Sequence, residues 1–557
     1  MSRVLLTGWF LIVLIELSCG QSYNHLEDYI AFRAQHQRYS GVTQIYKNDS
    51  LTFQSVSGFA NRSYQVKNQK NTLFDLASVT KMFTAAGIAK LYDDGLVRLD
   101  TPFMVYYADF PLESAKNISV RQLLSHSSGI SDLFFTDTYL RSDRSRLRKL
   151  KDYDVFYHDL EIAEIPEGQM QYSNTNFLIL GRMIEKITGT GYYEFIQSNV
   201  FDPLQMDSTG FYEKDQIVGN LAKGYFVDPQ ASQEFGVPND SMVRSNDAIR
   251  AVKGMPAGGA YSTAPDILRF IRGIQLGRLI KPATFKLFTS EINAGYALGF
   301  QKFERHGIQI WGHSGGFYGA STMVFHLPTK NLTFICLANS DFAAPPIFDR
   351  FINGMAGIKA ENPIRLPATQ LKRFNGFYEV YTGEMEGRQI EITAMQDHLS
   401  FDHALSFFPF GNEKFFDIDN DGFKLLFEVD SSGEVLGFIR KDDLGFFQKA
   451  KKISNSEVKT LEVINMSEEK LKEYILKFQF TGEGMMPGHI PKITVENGGL
   501  MIDNMMLFKP FQIDKFFLLD DQGMQLHFIR NENNQIIKIE VIRDNNVVGT
   551  LFPYQEN

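Results

Sequence analysis

With only two cysteines in 557 residues, Cys19 and Cys336, the chain can build neither a disulfide framework nor a thiolate metal cluster. Its histidines take no metal-ligand spacing, so no metal or organic cofactor is expected. Neither sign of charge is in large excess: 56 Lys and Arg against 65 Asp and Glu give −9, which excludes the basic footprint of a nucleic-acid binder. Also missing is an apolar run of the roughly 20 residues that a membrane-crossing helix needs. The N-terminal stretch from Val4 to Leu17 is interrupted by Thr7, Gly8 and Glu16, follows Arg3, and leads into Ser18-Cys19-Gly20-Gln21. A positive residue, a short apolar core and small residues after it read as a signal peptide over 1–20, so export is expected. Cys19 is then either shed near the cleavage point or kept as a lipidated first residue that anchors the protein to a membrane. Cys336 lies in Leu332-Thr333-Phe334-Ile335-Cys336-Leu337, which reads as a buried strand holding an inert thiol.

Apolar content of 44% and charged content of 22% are those of a globular protein, and the length exceeds one ordinary core. Ser78-Val79-Thr80-Lys81 puts a hydroxyl and an amine three residues apart, in what reads as the first turn of a helix ending at Asp93-Asp94-Gly95. Residues at i and i+3 share a helix face, so the lysine nitrogen can reach the serine oxygen. A helix start also favours developing negative charge, which suits a nucleophile. Tyr172-Ser173-Asn174 stands just before an amphipathic run in which Phe177, Leu180, Ile184 and Ile187 mark one face and Gly189 ends the pattern. Trp311-Gly312-His313-Ser314-Gly315-Gly316 follows a strand-like run, Ile308–Ile310, and precedes another, Ser321–Leu327.

In that order the three stretches resemble the Ser-x-x-Lys, Tyr-x-Asn and Lys/His-x-Gly motifs of serine hydrolases related to class C β-lactamases and penicillin-binding proteins. Arg121 to Gly129 and Ala257 to Ser262 are similar to that family as well, and the resemblance spans about residues 24 to 345. It implies an α/β (α+β) domain with an antiparallel sheet flanked by helices and the site between sheet and helical region. It further implies Ser78 as nucleophile, Lys81 and Tyr172 sharing proton transfers, and Asn174 and His313 orienting substrate and tyrosine. Gly315 and Gly316 join the substrate-binding strand, and the backbone N–H groups of Ser78 and Gly316 form the oxyanion hole. Which of Lys81 and Tyr172 takes the proton stays open. One departure bears on substrate: β-lactamases of this class usually carry lysine at position 313, a permanent cation suited to a carboxylate, whereas histidine is largely neutral near pH 7. The His form is similar to esterase-like and D-aminopeptidase-like relatives. Peptidase, amidase or esterase action on small or D-amino-acid-containing substrates is therefore expected. A true β-lactamase or DD-peptidase, and a slow-turnover sensor or cell-wall binding protein, are the alternatives.

Gly41–Tyr46 and Leu51–Val56 read as a β-hairpin, residues 76–280 as helices and loops, and strands return over 308–338 with a turn at Pro328–Asn331. The last two hundred residues contain a repeat. Shifting Leu399–Glu428 by 101 positions matches Leu500–Ile529 without a gap, and twelve of the thirty pairs are identical, where chance would give roughly two. With many of the 49 phenylalanines in this third, two small antiparallel, lipocalin-like β-barrels are expected. The expected layout is a leader over 1–20, a hydrolase domain over 21–360, and barrels over 361–455 and 456–557, a layout resembling bacterial D-aminopeptidases. Expected partners are a small-molecule or peptide substrate and cell-wall material, in the periplasm or outside a bacterium.

Four further features have competing readings. Gly312 to Gly316 also fits G-x-S-x-G, which would make Ser314 the nucleophile, but that motif needs a helix after it. Asp417 to Glu428 matches an EF-hand calcium loop, yet strand-like flanks favour a solvated hairpin turn. His126, among Ser125, Ser127 and Ser128, is expected to be structural. The run Arg141, Arg144, Arg146, Arg148, Lys149 and Lys151 is expected to form a solvated helix face.

Overall fold

The structure, a computed structural model, describes residues 25–227 and 243–454 apart from 291, 292, 294, 360, 384, 385, 403, 404, 419, 421, 443 and 444, and residues 464–553 apart from 476–477, 482–492, 497, 503–505, 519–520, 532 and 544–545. Residues 1–20, expected as a leader, and Cys19 lie outside the described residues. The chain forms two compact units, 25–227 with 243–363, and 364–553.

The first unit is built on a six-stranded antiparallel sheet whose strands come from both of its ends. Gly41–Lys47 (β1) and Ser50–Ser57 (β2) form the expected hairpin. Its turn residues Asn48 and Asp49 have φ +48° and +69°, a left-handed conformation that Asn and Asp tolerate through local hydrogen bonds. After the helical region come Gln301–Arg305 (β3), Ile308–Phe317 (β4), Ala320–Leu327 (β5) and Leu332–Ala338 (β6), giving the order β2-β1-β6-β5-β4-β3. β6 pairs with β1 from Gly41 opposite Ala338 to Lys47 opposite Leu332, so the early hairpin is held by strands three hundred residues later. Cys336 lies there, buried, with Thr43 Oγ1 donating to its sulfur at 3.3 Å.

Lys81–Asp93 (α1) is buried nearly all round, as its Ala-rich apolar sequence requires. Phe83 meets Phe201 and Phe270 edge to face, at 5.0 and 4.8 Å between centroids. Asn174–Thr188 (α2) packs beside it and stops at Gly189, whose φ of +69° a side chain would disfavour. The basic run is not one helix face. Arg141 follows the short helix Asp137–Leu140, Arg144 and Arg146 lie in a 3-10 turn and Lys151 in the 3-10 stretch Leu150–Asp159, and ion pairs take up part of the charge: Arg141 with Asp137, Arg146 with Asp143, Arg148 with Glu213 and Asp215.

In the second unit, eight antiparallel strands from Gly376–Thr382 to Phe447–Ser454 close into a barrel. Tyr378, Phe401, Phe407, Phe415, Phe427 and Phe438 fill its interior, and Phe374 plugs one end, 5.1 Å from Phe415 and 4.3 Å from Phe427. The second copy is an eight-stranded sheet with the same meander, ending among the described residues at Phe478–Thr481 and Ile493–Glu496. Tyr474 packs there on Phe516 and Phe528, both at 4.9 Å. These rings are the repeat partners of Phe415 and Phe427, so duplication extends to the plug. The EF-hand-like stretch is flanked by strands Lys414–Asp417 and Lys424–Val429, as the hairpin reading requires, while Asp419 and Asp421 lie outside the described residues.

Candidate active site

The turn that presents Ser78 is held under strain. Phe74–Asp75 pairs with Tyr261–Ser262, and Leu76 N donates to Ala260 O at 2.8 Å. Ala77 then takes φ +44°, a left-handed conformation costly for a residue with a Cβ. Asp75 Oδ1 accepts the Ala77 N–H at 2.8 Å and fixes it. Burial pushes the Asp75 carboxyl up, and Arg250, the Ala77 N–H and Tyr261 pull it back. Ser78 lies in a single 3-10 turn, Ala77–Thr80, and Lys81 is the first residue of α1. The sequence places Ser78 in the first α-turn; Ala77 in the left-handed region cannot extend that helix backwards, and the tighter turn results.

Lys81 is fully buried, and its Nζ contacts three oxygens: Ser78 Oγ at 3.1 Å, Asn174 Oδ1 at 2.7 Å and Ala257 O at 2.7 Å. Asn174 is turned oxygen-first because its Nδ2 donates to Asp132 Oδ2 at 2.7 Å, which also accepts the Asn174 N–H at 3.0 Å. Desolvation lowers the Lys81 amine from 10.5 to about 7, against the opposing charge of Asp132. A neutral amine has two N–H donors and one lone pair. Asn174 Oδ1 and Ala257 O can only accept, so they take the two donors, and the lone pair is left facing the Ser78 hydroxyl.

Tyr172 lies under the amine, with Lys81 Nζ 4.8 Å from its ring centroid. Tyr172 is 38% exposed overall, yet desolvation beside Ser78 and Lys81 raises its phenol above the usual range, and a hydrogen bond to Ser78 draws it partly back. The ring stacks on His126 at 4.1 Å, and His126 meets Tyr296 at 4.8 Å. Tyr296 O–H donates to His313 Nε2 at 2.9 Å, while His313 Nδ1–H donates to Ser314 O at 2.5 Å. His313 is buried with both ring nitrogens occupied, and burial with the nearby Lys81 charge lowers it to about 3, so it is neutral at any working pH.

Strand β4 forms the opposite wall. It is continuous from Ile308 to Phe317, with the His-Ser-Gly motif inside it; the sequence places that motif between two strands. Ser314 is a mid-strand residue with no helix after it, and its N–H donates to Gln301 Oε1 at 3.0 Å. Backbone donors alternate along a strand, so the Gly316 N–H lies on this same side, past Gly312, where pairing with β3 ends. Gly315 abuts the nucleophile turn: a Cβ there would lie 2.4 Å from both Leu76 O and Thr322 Oγ1 and 3.0 Å from Ser78 N. At Gly316 a Cβ would meet nothing within 4 Å.

Ser78, Lys81, Tyr172 and Asn174, scattered over about a hundred residues of sequence, thus converge at one point, with Gly315 and Gly316 on the facing strand and His313 behind Tyr296. Asp132, Ala257 and Tyr296 are missed by sequence reasoning. A backbone carbonyl leaves no side-chain signal, and Asp132 belongs to no spaced motif. The described residues contain no group of three or more His, Cys, Asp or Glu able to hold a metal.

A buried amine directed at a serine hydroxyl, within an antiparallel sheet and helices, defines a serine hydrolase. The family model described as Beta-lactamase matches residues 26–353, and the chain belongs to that family. It is 25% identical over 418 residues to penicillin-binding protein 4* of Bacillus subtilis, covering 70% of this chain and 91% of that protein. It is 25% identical over 260 residues to teichoic acid D-alanine hydrolase of Staphylococcus aureus, covering 47% of this chain and 59% of that one. Among solved structures, the octameric penicillin-binding protein homologue of Pyrococcus abyssi covers 95% of this chain and 99% of its own, with TM-score 0.54 and 19% identity. No helix among the described residues is long and apolar enough to cross a membrane.

Proposed function

We propose that the chain is an exported hydrolase that cleaves esters or amides of small, D-amino-acid-containing substrates through an acyl-enzyme on Ser78. Ser78 Oγ attacks the carbonyl carbon as its proton passes to Lys81 Nζ. The resulting oxyanion accepts from the Ser78 and Gly316 N–H groups. The intermediate collapses, expelling an amine or alcohol that takes a proton delivered through Tyr172, and water then attacks the acyl-enzyme by the reverse proton path. Asn174 holds Lys81 and, with Gly315 and Gly316, lines the substrate. His313 acts through Tyr296, since its own nitrogens are occupied.

The observation that carries this reading is the Lys81 amine, near neutral pH in its ionisation and directed by two acceptors at Ser78. It favours Lys81 over the raised Tyr172 phenol as the base for acylation. The substrate class is supported by the relatives, which by name are a penicillin-binding protein and a hydrolase of D-alanine from teichoic acid. A neutral His313 removes the cation that would hold a β-lactam or peptide carboxylate. Export follows the leader over 1–20, with release or lipid anchoring at Cys19, and the hydrolase domain over 21–360 precedes two duplicated modules, 361–455 and 456–557, that meet substrate or cell-wall material.

A panel of p-nitrophenyl esters, D- and L-amino-acid anilides and a chromogenic cephalosporin, run on wild type, Ser78→Ala and Ser314→Ala, tests the reading. Turnover of D-substrates by wild type and Ser314→Ala but not Ser78→Ala is expected. Turnover surviving in Ser78→Ala overturns it. An adduct that intact mass shows forming and never decaying makes the chain a sensor.

A further inference from the structure

His126 is attached to the Gln171-Tyr172-Ser173 segment at three points. Its carbonyl accepts the Gln171 N–H at 2.8 Å, and its ring Nδ1 accepts the Ser173 N–H at 3.1 Å, so both chain neighbours of Tyr172 are tied to one residue. Between these two bonds the imidazole stacks on the Tyr172 ring at 4.1 Å and 30°. The far sides of the imidazole are closed by Phe177 at 5.3 Å and Tyr296 at 4.8 Å, and the residue is fully buried. Its backbone has φ +57°, a left-handed conformation that histidine adopts more readily than most residues but that still costs free energy.

The tautomer follows from these bonds. Nδ1 accepts from a backbone N–H, so the ring proton is on Nε2, and Nε2 is buried with no hydrogen-bond partner among the described residues. An unpaired buried donor on a residue of unfavourable φ is a poor choice if the position only had to fill space. Phenylalanine or leucine would fill it without an orphaned N–H. What they lack is the ring acceptor for Ser173 together with a flat face for Tyr172. Burial and the nearby Lys81 and His313 keep the imidazole neutral, so the acceptor persists across the working pH range.

We infer that His126 is the positioning residue of Tyr172, clamping the Gln171-Tyr172-Ser173 segment so that the phenol is held beside Ser78 and Lys81. The inference rests on the role given to Tyr172 above. His126 touches none of the reacting atoms, and its effect passes through the tyrosine.

Two variants separate its contributions. His126→Asn tolerates the left-handed backbone and can offer an amide oxygen to Ser173 but has no ring to stack; His126→Phe keeps the ring and loses the acceptor. Each is made in wild type and in Tyr172→Phe, and kcat and KM are measured on a D-alanine p-nitroanilide beside melting temperature. In wild type, each is expected to lower kcat about tenfold with KM within about twofold. In Tyr172→Phe, itself slowed, the same changes are expected to cost less than about twofold, because the group they position has lost its hydroxyl. A His126 effect of undiminished size in a slowed Tyr172→Phe background overturns the inference, as does a lowered melting temperature with kcat unchanged. A Tyr172→Phe enzyme as fast as wild type overturns instead the role of Tyr172, and with it the need for a clamp.

Discussion

Lys81 Nζ stands 3.1 Å from Ser78 Oγ, and its two shorter contacts, both 2.7 Å, go to oxygens that can only accept. Only the unprotonated amine has a lone pair for the serine proton. With the amine at about 7, kcat/KM for a p-nitrophenyl ester should rise through a single ionisation near pH 7 and level off above it. Lys81→Ala should lower the plateau by about 10²–10⁴, the usual worth of a general base. A flat profile from pH 5 to 9 would remove Lys81 from the proton path.

The same burial makes Lys81 a liability to the fold. Its folded pKa lies below its unfolded value of 10.5, so the ionised form is penalised in the folded state. The penalty is complete below pH 7 and fades as pH rises from 7 to 10.5. Lys81→Met should therefore melt higher than wild type at pH 6, by an effect on the order of a few kcal/mol, and the gain should shrink at pH 9. Thermal melts at the two pH values check this, and a gain independent of pH would contradict it.

Asp132 is the charge that opposes the desolvation of Lys81, acting behind Asn174. In Asp132→Asn that opposition is gone, so the amine should fall further and the acidic limb of the rate profile should move below pH 7 by about one unit. The plateau should drop as well, since Asn174 loses a charged acceptor. A limb that stays in place would show that the profile reports another group.

How far the sequence discloses this site depends on the kind of group involved. Ser78 and Lys81 are legible because helical spacing alone brings them together, and the two-strand pattern of 41–56 is legible because alternation and an Asn-Asp turn specify a hairpin. Tyr172, Asn174 and Gly316 reach the same place only through long-range packing, which periodicity does not encode, so their convergence rests on resemblance to the family. Asp132 carries no such mark, and Ala257, though in a family-like stretch, acts through a carbonyl that its side chain does not signal. The strain at Ala77 is invisible too, since alanine gives no hint of a left-handed backbone. The repeat lies at the other extreme, since Phe415 and Phe516 hold the same place in two copies and identity exposes them. The plug pair Phe374 and Tyr474 lies outside the aligned window and needed the fold.

Adjacent glycines on β4 should behave oppositely. Gly315→Ala puts a methyl 2.4 Å from Leu76 O and Thr322 Oγ1, so either the strand or the Ser78 turn must shift. Overpacking of this kind costs about 1–3 kcal/mol, and here it also displaces the nucleophile. Gly316→Ala has open space around its methyl and should melt as wild type. Melting temperatures with acylation by a fluorophosphonate probe check the pair: Gly315→Ala should lose both stability and labelling. Equal melting of the two variants would mean that β4 does not press on the Ser78 turn.

Restoring lysine at 313 should not restore β-lactamase activity. His313 is buried, accepts from Tyr296 through Nε2, and is neutral with its ionisation at about 3. His313→Lys would place a second amine in a desolvated site that already contains Lys81, on a flexible stem that lacks the imidazole's fixed acceptor for the Tyr296 hydroxyl. Like charge and desolvation both disfavour protonation, so the new amine should remain largely neutral or depress Lys81 further. The expected result is a lower melting temperature, with ester and D-anilide turnover reduced at least tenfold and no gain on a chromogenic cephalosporin. His313→Asn, which can still accept from Tyr296, should retain more activity than His313→Lys. A cephalosporin rate that rises in His313→Lys would show that charge at this position, and not burial behind Tyr296, governs which substrate is taken.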